Sequence, residues 1–242
     1  MPEIKLDIRA KTFVVAANDS VHKNMADYVC SGANDHVEIQ AALDALPATG
    51  GEVLLLDGTY YIESSIVLDP YQTLRGCGRN TILTTTTANF DIITATGGAG
   101  TEKVGILLAD FCVDGSVGGV ANDVGILWTY VDYSKIRGVW SRGNGEHGIE
   151  LVNCDFNDLS NNTCQGNPDG IFLDSSLSNT ITGNTCPGNT DYGIFIVRSS
   201  YNTVTGNTCP GNTEYGIILL RSSYNTITGN SCNGNTWITA DG

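Results

Sequence analysis

The sequence predicts an all-β fold, a single-stranded right-handed parallel β-helix with an N-terminal capping α-helix, and three observations carry this reading. Thr190 to Asn212 (TDYGIFIVRSSYNTVTGNTCPGN) is nearly repeated by Thr213 to Asn235 (TEYGIILLRSSYNTITGNSCNGN). Self-similarity at a fixed period marks a solenoid, whose repeats bury their apolar faces only by stacking. Cys164, Cys186, Cys209 and Cys232 then recur every 22 or 23 residues inside NTC or NSC. The third observation is period-2 spacing of apolar residues after recurring glycines, the signature of a strand with one buried face.

In chain order, residues 1–50 read as a strand and the capping helix, and residues 51–242 as the solenoid, with no Pro/Ser linker dividing them. Asn34 or Asp35 opens the helix, Ile39, Ala42, Leu43 and Leu46 line one face, and Pro47 ends it. A helix there would cover the raw end of the solenoid, where strand edges and core lie open. The strand-like stretches EVLLL, TYYI and SIVL follow. Anchoring on Gly105, Gly125, Gly148, Gly170, Gly193 and Gly216 gives six windings. One inward column is then Ile106, Ile126, Ile149, Ile171, Ile194 and Ile217, and another Leu108, Trp128, Leu151, Leu173, Ile196 and Leu219. Leu159, Ile181, Val204 and Ile227 mark a second strand per winding, and a third ends near the cysteines. Three short strands in about 22 residues suit a parallel β-helix.

The polar columns belong to the corners. Asn162, Asn184, Asn207 and Asn230 form one, and Asn144, Asn167, Asn189, Asn212 and Asn235 another. Stacked amides bond one another and the turn backbone. The column cysteines point the same way from in-register strands, which suits packed thiols better than disulfides. For the far end, the expected cover is Trp237 and Ile238, another subunit, or the continuation of a longer chain.

With 26 acidic against 12 basic residues the formal charge is −14, which disfavours nucleic acid and anionic lipid surfaces as partners. No apolar run reaches the roughly 20 residues of a membrane span, and MPEIKLDIRAKTF shows no signal-peptide apolar segment.

Candidate functional residues lie on the outer face. Leu107, Leu127, Glu150, Phe172, Phe195 and Ile218 point outward between the inner columns. Such an apolar stripe calls for a cover: a second and third copy in a trimeric shaft, a sugar stacked on the rings, or a loop. Phe172, Phe195, Arg221 and His147 are the candidate substrate-binding residues. Glu150 and Asp174 sit one coil and two residues apart along the strand, roughly 8 Å between backbones, a separation used by inverting glycosidases. Arg198 joins them as a third catalytic candidate. The competing reading makes DSS and RSS plain turns with a solvated charge. A second acidic column, Glu102, Asp123, Glu146, Asp169, Asp191 and Glu214, offers Glu146, Asp169 and Asp191 as ligands for Ca²⁺, or else stands as an exposed corner.

ADYVCSGANDHVEIQAALDALPATGGEVLLLDGTYYI through TLRGCGRNTIL resembles the N-terminal entry of the pectate-lyase-like superfamily. DFCVDGS and the GI…NTITGN windings resemble its generic β-helix repeats, so the resemblance covers about residues 12–235. It implies the right-handed β-helix of pectate lyases, polygalacturonases and phage tailspikes, with a polysaccharide as partner and an extracellular or virion-associated location. It also implies, for a lyase, carboxylates that hold Ca²⁺ against a uronate and an arginine as base. NTD at Asn189 and EHG at Glu146 are similar to polygalacturonase motifs, but their order is reversed and the paired-aspartate motif between them is missing. The DPHD type motif of mannuronan epimerases is absent. The fold hosts enzymes and inert shafts alike. Two expectations follow: a carbohydrate-active protein that binds and cleaves a polysaccharide by lyase or hydrolase chemistry, or a non-catalytic shaft or adhesin.

Overall fold

The structure is a computed structural model that describes residues 11–87, 89–116 and 123–236. Its strands stack as a parallel β-helix. Among the described residues sheet A holds ten strands, sheet B five and sheet C seven, and all their pairs are parallel. Each regular coil visits C, A and B in turn, as in Asp169–Asp174, Thr180–Thr182 and the Thr185 bridge. Sheet B runs from Gly58–Tyr61 to Thr163–Gln165 and continues only as single bridges through Thr185, Thr208 and Ser231.

The core is built of columns in exact one-coil register. Ile93, Ile126, Ile149, Ile171 and Ile194 stack in sheet C, all fully buried. Ala95 lies beneath Trp128, so a small side chain makes room for the largest one in the interior. Leu74, Leu108, Ile136, Leu159, Ile181 and Val204 fill the same role in sheet A.

This register corrects the first member of three sequence-derived columns, the two inward ones and the outward stripe. Leu107 and its neighbours Ile106 and Leu108 belong to sheet A, where Leu107 pairs with Thr73 and Lys135. Gly105 serves a turn at φ 69°, and the partner of Ile126 in the preceding coil is Ile93. The 20-residue spacing from Gly105 to Gly125 therefore joins two different corners, and Glu102 leaves the acidic column with it.

The helix spans His36–Asp44 and buries Ile39, Ala42 and Leu43 against the strands Lys11–Ala16, Tyr28–Val29, Gly51–Leu55 and Ile66–Val67. Asp35 stands at its N-cap position without capping it. Its carboxylate is fully buried and accepts the Gly32 N–H at 2.8 Å and the Tyr61 N–H at 2.9 Å, pinning the helix entry to the first coils. Lys11–Ala16 pairs with Gly51–Leu55, so the first strand is already a rung of sheet A. Trp237 and Ile238 lie outside the described residues.

Three asparagine ladders tie the coils. In each, a backbone N–H donates to the Oδ1 of the asparagine one coil on, as from Asn162 to Asn184 at 2.9 Å and from Asn184 to Asn207 at 2.8 Å. The receiving side chain returns its Nδ2–H to a carbonyl of the earlier coil, Asn184 to Leu159 at 2.9 Å, except at Asn212 and Asn235, which bond Cys209 and Cys232 of their own coils. Asn157, Asn179, Asn202 and Asn225 form a third ladder that the sequence reading missed. The column cysteines are free thiols, buried at Cys164, Cys186 and Cys209.

Candidate functional site on the outer face of sheet C

The glycines that precede each sheet C strand shape the site. A Cβ on Gly193 would lie 2.4 Å from the Gly216 carbonyl oxygen and 2.7 Å from Cys209 Cβ, so only glycine lets the chain bend against the cysteine column. Strict inward–outward alternation does not carry through this bend. The residues just before the glycines, His147, Tyr192 and Tyr215, consequently join the outward residues Glu150, Phe172 and Phe195 on one face.

Register places Leu127, Glu150, Phe172, Phe195 and Ile218 in one column, as the sequence indicated for all but Leu107. The rings make a continuous strip. His147 stacks on Phe172 with centroids 4.5 Å apart, Phe172 meets Phe195 at 5.1 Å, Phe195 meets Tyr192 edge-on at 4.9 Å, and Tyr192 stacks on Tyr215 at 6.0 Å. Tyr192 and Tyr215 were not singled out from sequence. Their signal was the repeated TDYG and TEYG, where an aromatic precedes the bend glycine.

Charges flank the strip. Glu150 is half-buried, and burial pushes its carboxyl up from the usual glutamate range; His147 opposes that shift, while Glu146, Asp91 and Asp174 add to it. Asp174 stands on the same face two residues beyond Phe172, in line with Val152 and Val197. Arg198 donates to its carboxylate, as does the Ser175 hydroxyl at 2.9 Å. Arg221 follows Arg198 in the same corner column, both at positive φ. The guanidinium of Arg198 is thus engaged with a carboxylate of its own chain.

The acidic column resolves into two. Asp169 pairs in register with His147, its carboxylate 3.2 Å from the imidazole Nδ1, and it also accepts the Tyr192 N–H at 3.1 Å. Glu146 and Asp191 sit one position earlier, near the exposed corner. Burial, with Asp169 and Glu214 nearby, pushes the Asp191 carboxyl up, while Glu214 pushes the Tyr192 phenol up to about 12. The ligand atoms that converge are those of Glu146, His147 and Glu150, all within 4.8 Å of one another, rather than those of Glu146, Asp169 and Asp191.

Residues 110–240, more than half of the chain, match the sequence model of the family described as periplasmic copper-binding protein (NosD). The chain belongs to the NosD family. No curated protein sequence matches it. Among solved structures this NosD-family chain is similar to the A-module of the Azotobacter vinelandii mannuronan C-5 epimerase AlgE4, with 21% identity and a TM-score of 0.65 over 84% of this chain and 69% of that one. It is also similar to PfbA, a surface adhesin of Streptococcus pneumoniae, with 14% identity and a TM-score of 0.70 over 85% and 61%. A third similarity is to gene product 12 of bacteriophage phi29, with 16% identity and a TM-score of 0.66 over 85% and 32%. These establish the shared right-handed β-helix.

The family's description names copper, and the donor set of this NosD-family chain can be tested against it. Cu(I) favours thiolate and thioether sulfur. Here Cys164, Cys186 and Cys209 are sealed in the core, and burial pushes the Cys112 and Cys154 thiols up to about 11 and about 12. The one imidazole-bearing cluster among the described residues pairs His147 with two carboxylates, a set suited to borderline or hard divalent ions and lacking soft donors. The second cluster, Cys30, Asp35 and Glu38, offers a single thiol that burial pushes up, so among the described residues no converging set fits Cu(I).

Proposed function

We propose that the outer face of sheet C binds a polysaccharide, with the chain acting outside the cytoplasm, as the family's description and the surface and periplasmic nature of similar folds suggest. The continuous ring strip from His147 to Tyr215 carries this reading. It runs along the stacking direction, so successive residues of an extended glycan can lie across successive rings. Sugar C–H faces pack on the half-buried rings, and hydroxyls meet Glu150, Asp174 and Arg198 at the flank. Arg221 extends the flank by one coil. Similarity to the mannuronan epimerase and the surface adhesin supports a role in glycan chemistry or surface attachment.

One observation favours a hydrolytic step on the same face. Burial keeps Glu150 protonated to higher pH than an ordinary glutamate, which suits a general acid. Glu150 would protonate the glycosidic oxygen as the bond to the anomeric carbon breaks, and Asp174 would accept a proton from the water that attacks that carbon. Arg198 weakens this second role, because its guanidinium already occupies the Asp174 carboxylate. Binding is accordingly the principal proposal.

Retention on immobilised polysaccharides tests it. Phe172→Ala together with Phe195→Ala should abolish retention with the circular dichroism spectrum unchanged, and retention equal to wild type would overturn the proposal. Release of reducing ends by wild type but not by Glu150→Gln would add the hydrolytic step.

A further inference from the structure

A second aromatic column stands on the corner between sheets C and A, formed by Tyr133, Phe156, Ser178, Tyr201 and Tyr224. Each adopts positive φ, from 48° to 63°, and backbone hydrogen bonds set them one coil apart. The equal backbone geometry aims the side chains outward at successive heights. Tyr133 stacks on Phe156 with centroids 4.9 Å apart and planes 6° from parallel. Tyr201 stacks on Tyr224 at 5.1 Å and 10°. All four rings are exposed, from 51% at Phe156 to 77% at Tyr224.

The ladder lacks its middle rung. Ser178 occupies that level and is half-buried between exposed neighbours. Phe156 and Tyr201 are two coils apart, roughly 9.6 Å. A ring set midway would lie about 4.8 Å from each, nearly the spacing the ladder uses elsewhere. Leu177, 38% exposed, adds an apolar contact beside the gap. The same coil carries Phe172 and Asp174, so the gap lies at the level of the proposed glycan face.

We infer that this gap is a saccharide subsite that sandwiches one neutral pyranose ring between Phe156 and Tyr201. The inference rests on the reading of the chain as a glycan binder and adds a second contact to it. A pyranose offers C–H groups on both faces and hydroxyls around its rim. The gap offers two aromatic faces and a polar surround, with the Ser178 and Ser200 hydroxyls and the Asp155 carboxylate, which accepts the Leu177 N–H at 2.7 Å. A purely aromatic guest would desolvate those polar groups without pairing them. A polyanionic guest would meet Asp155 in a chain of net charge −14.

The test fills the gap. Ser178→Tyr supplies the absent ring at a position whose column already accepts tyrosine at positive φ, so the fold should persist. Glycans retained by wild type are titrated calorimetrically against Ser178→Tyr, Tyr201→Ser, and Phe172→Ala with Phe195→Ala. Ser178→Tyr and Tyr201→Ser should each weaken binding about tenfold or more, the effect of losing a ring contact or the space between two. Loss of binding in the Phe172 and Phe195 variant with wild-type affinity in Ser178→Tyr overturns the subsite and leaves the sheet C proposal standing. Loss in Ser178→Tyr alone supports the subsite and removes the sheet C face. A wild type that binds no glycan, or only aromatic peptides, overturns both.

Discussion

Replacing Asn184 by alanine isolates what an asparagine ladder contributes. Asn184 is 1% exposed. Its Oδ1 accepts the Asn162 N–H at 2.9 Å, and its Nδ2 donates to the Leu159 carbonyl at 2.9 Å. Alanine leaves the Asn162 N–H buried without its partner and takes one donor from the Leu159 carbonyl, so at about 1–3 kcal/mol for the orphaned group and about 1 kcal/mol for the lost bond the loss should be about 2–4 kcal/mol. Asn230 makes the equivalent pair of bonds, accepting from Asn207 at 2.8 Å and donating to Val204 at 2.9 Å, but it is only part-buried. Water can replace its partners there, so Asn230→Ala should lose about 1–3 kcal/mol, the net worth of two ordinary hydrogen bonds. Urea unfolding followed by far-ultraviolet circular dichroism measures both. Amide exchange at Asn162 supplies a local reading, because a solenoid can open coil by coil. Equal losses at the two sites, or less than about 1 kcal/mol at Asn184, would refute the orphaned-group reasoning.

Three further outcomes follow from the same structure. The folded state holds the Glu150 proton more tightly than the unfolded state, so that stabilisation is complete below the unfolded glutamate pKa of about 4.3 and is lost as pH rises through the raised folded value. Wild type should therefore lose stability relative to Glu150→Gln across that interval, and parallel stability profiles would count against the buried-carboxyl account. Gly193→Ala forces a Cβ into the Gly216 carbonyl and the Cys209 side chain, so thermal unfolding should fall well below wild type, whereas an unchanged midpoint would mean the coils slide apart freely. Maleimide in native buffer should modify Cys77, the exposed thiol, and spare Cys164 and Cys186 until denaturant is added, with early labelling of the column cysteines as the contrary result.

Legibility in the sequence followed the regularity of the coils. Where spacing is 22 or 23 residues, one register position repeats, so Ile149, Ile171, Ile194 and the asparagine columns could be assigned from spacing alone. Gly105 failed because glycine answers several backbone demands. At Gly105 it supplies a positive φ in a turn, while at Gly193 it admits a neighbouring coil, and the letter is the same.

The outer surface obeys weaker rules, and the candidate site shows why. Period-2 alternation correctly placed Glu150, Phe172 and Phe195 outside, but it cannot be continued through the bend glycines, which is how Tyr192 and Tyr215 escaped. The corner ladder escaped for a related reason: its residues are in the left-handed conformation, outside any strand, so alternation has nothing to say about them. What does mark Phe156, Ser178, Tyr201 and Tyr224 is the asparagine that follows each one, a place that Ser134 takes after Tyr133. Asn157, Asn179 and Asn202 are buried in a ladder that the half-buried Asn225 continues, and that ladder fixes the height and direction of Phe156, Ser178, Tyr201 and Tyr224 before them. The interior ladder thereby builds the exterior one. A single departure from aromatic at Ser178 then has a defined shape, because its neighbours are held at fixed intervals on either side.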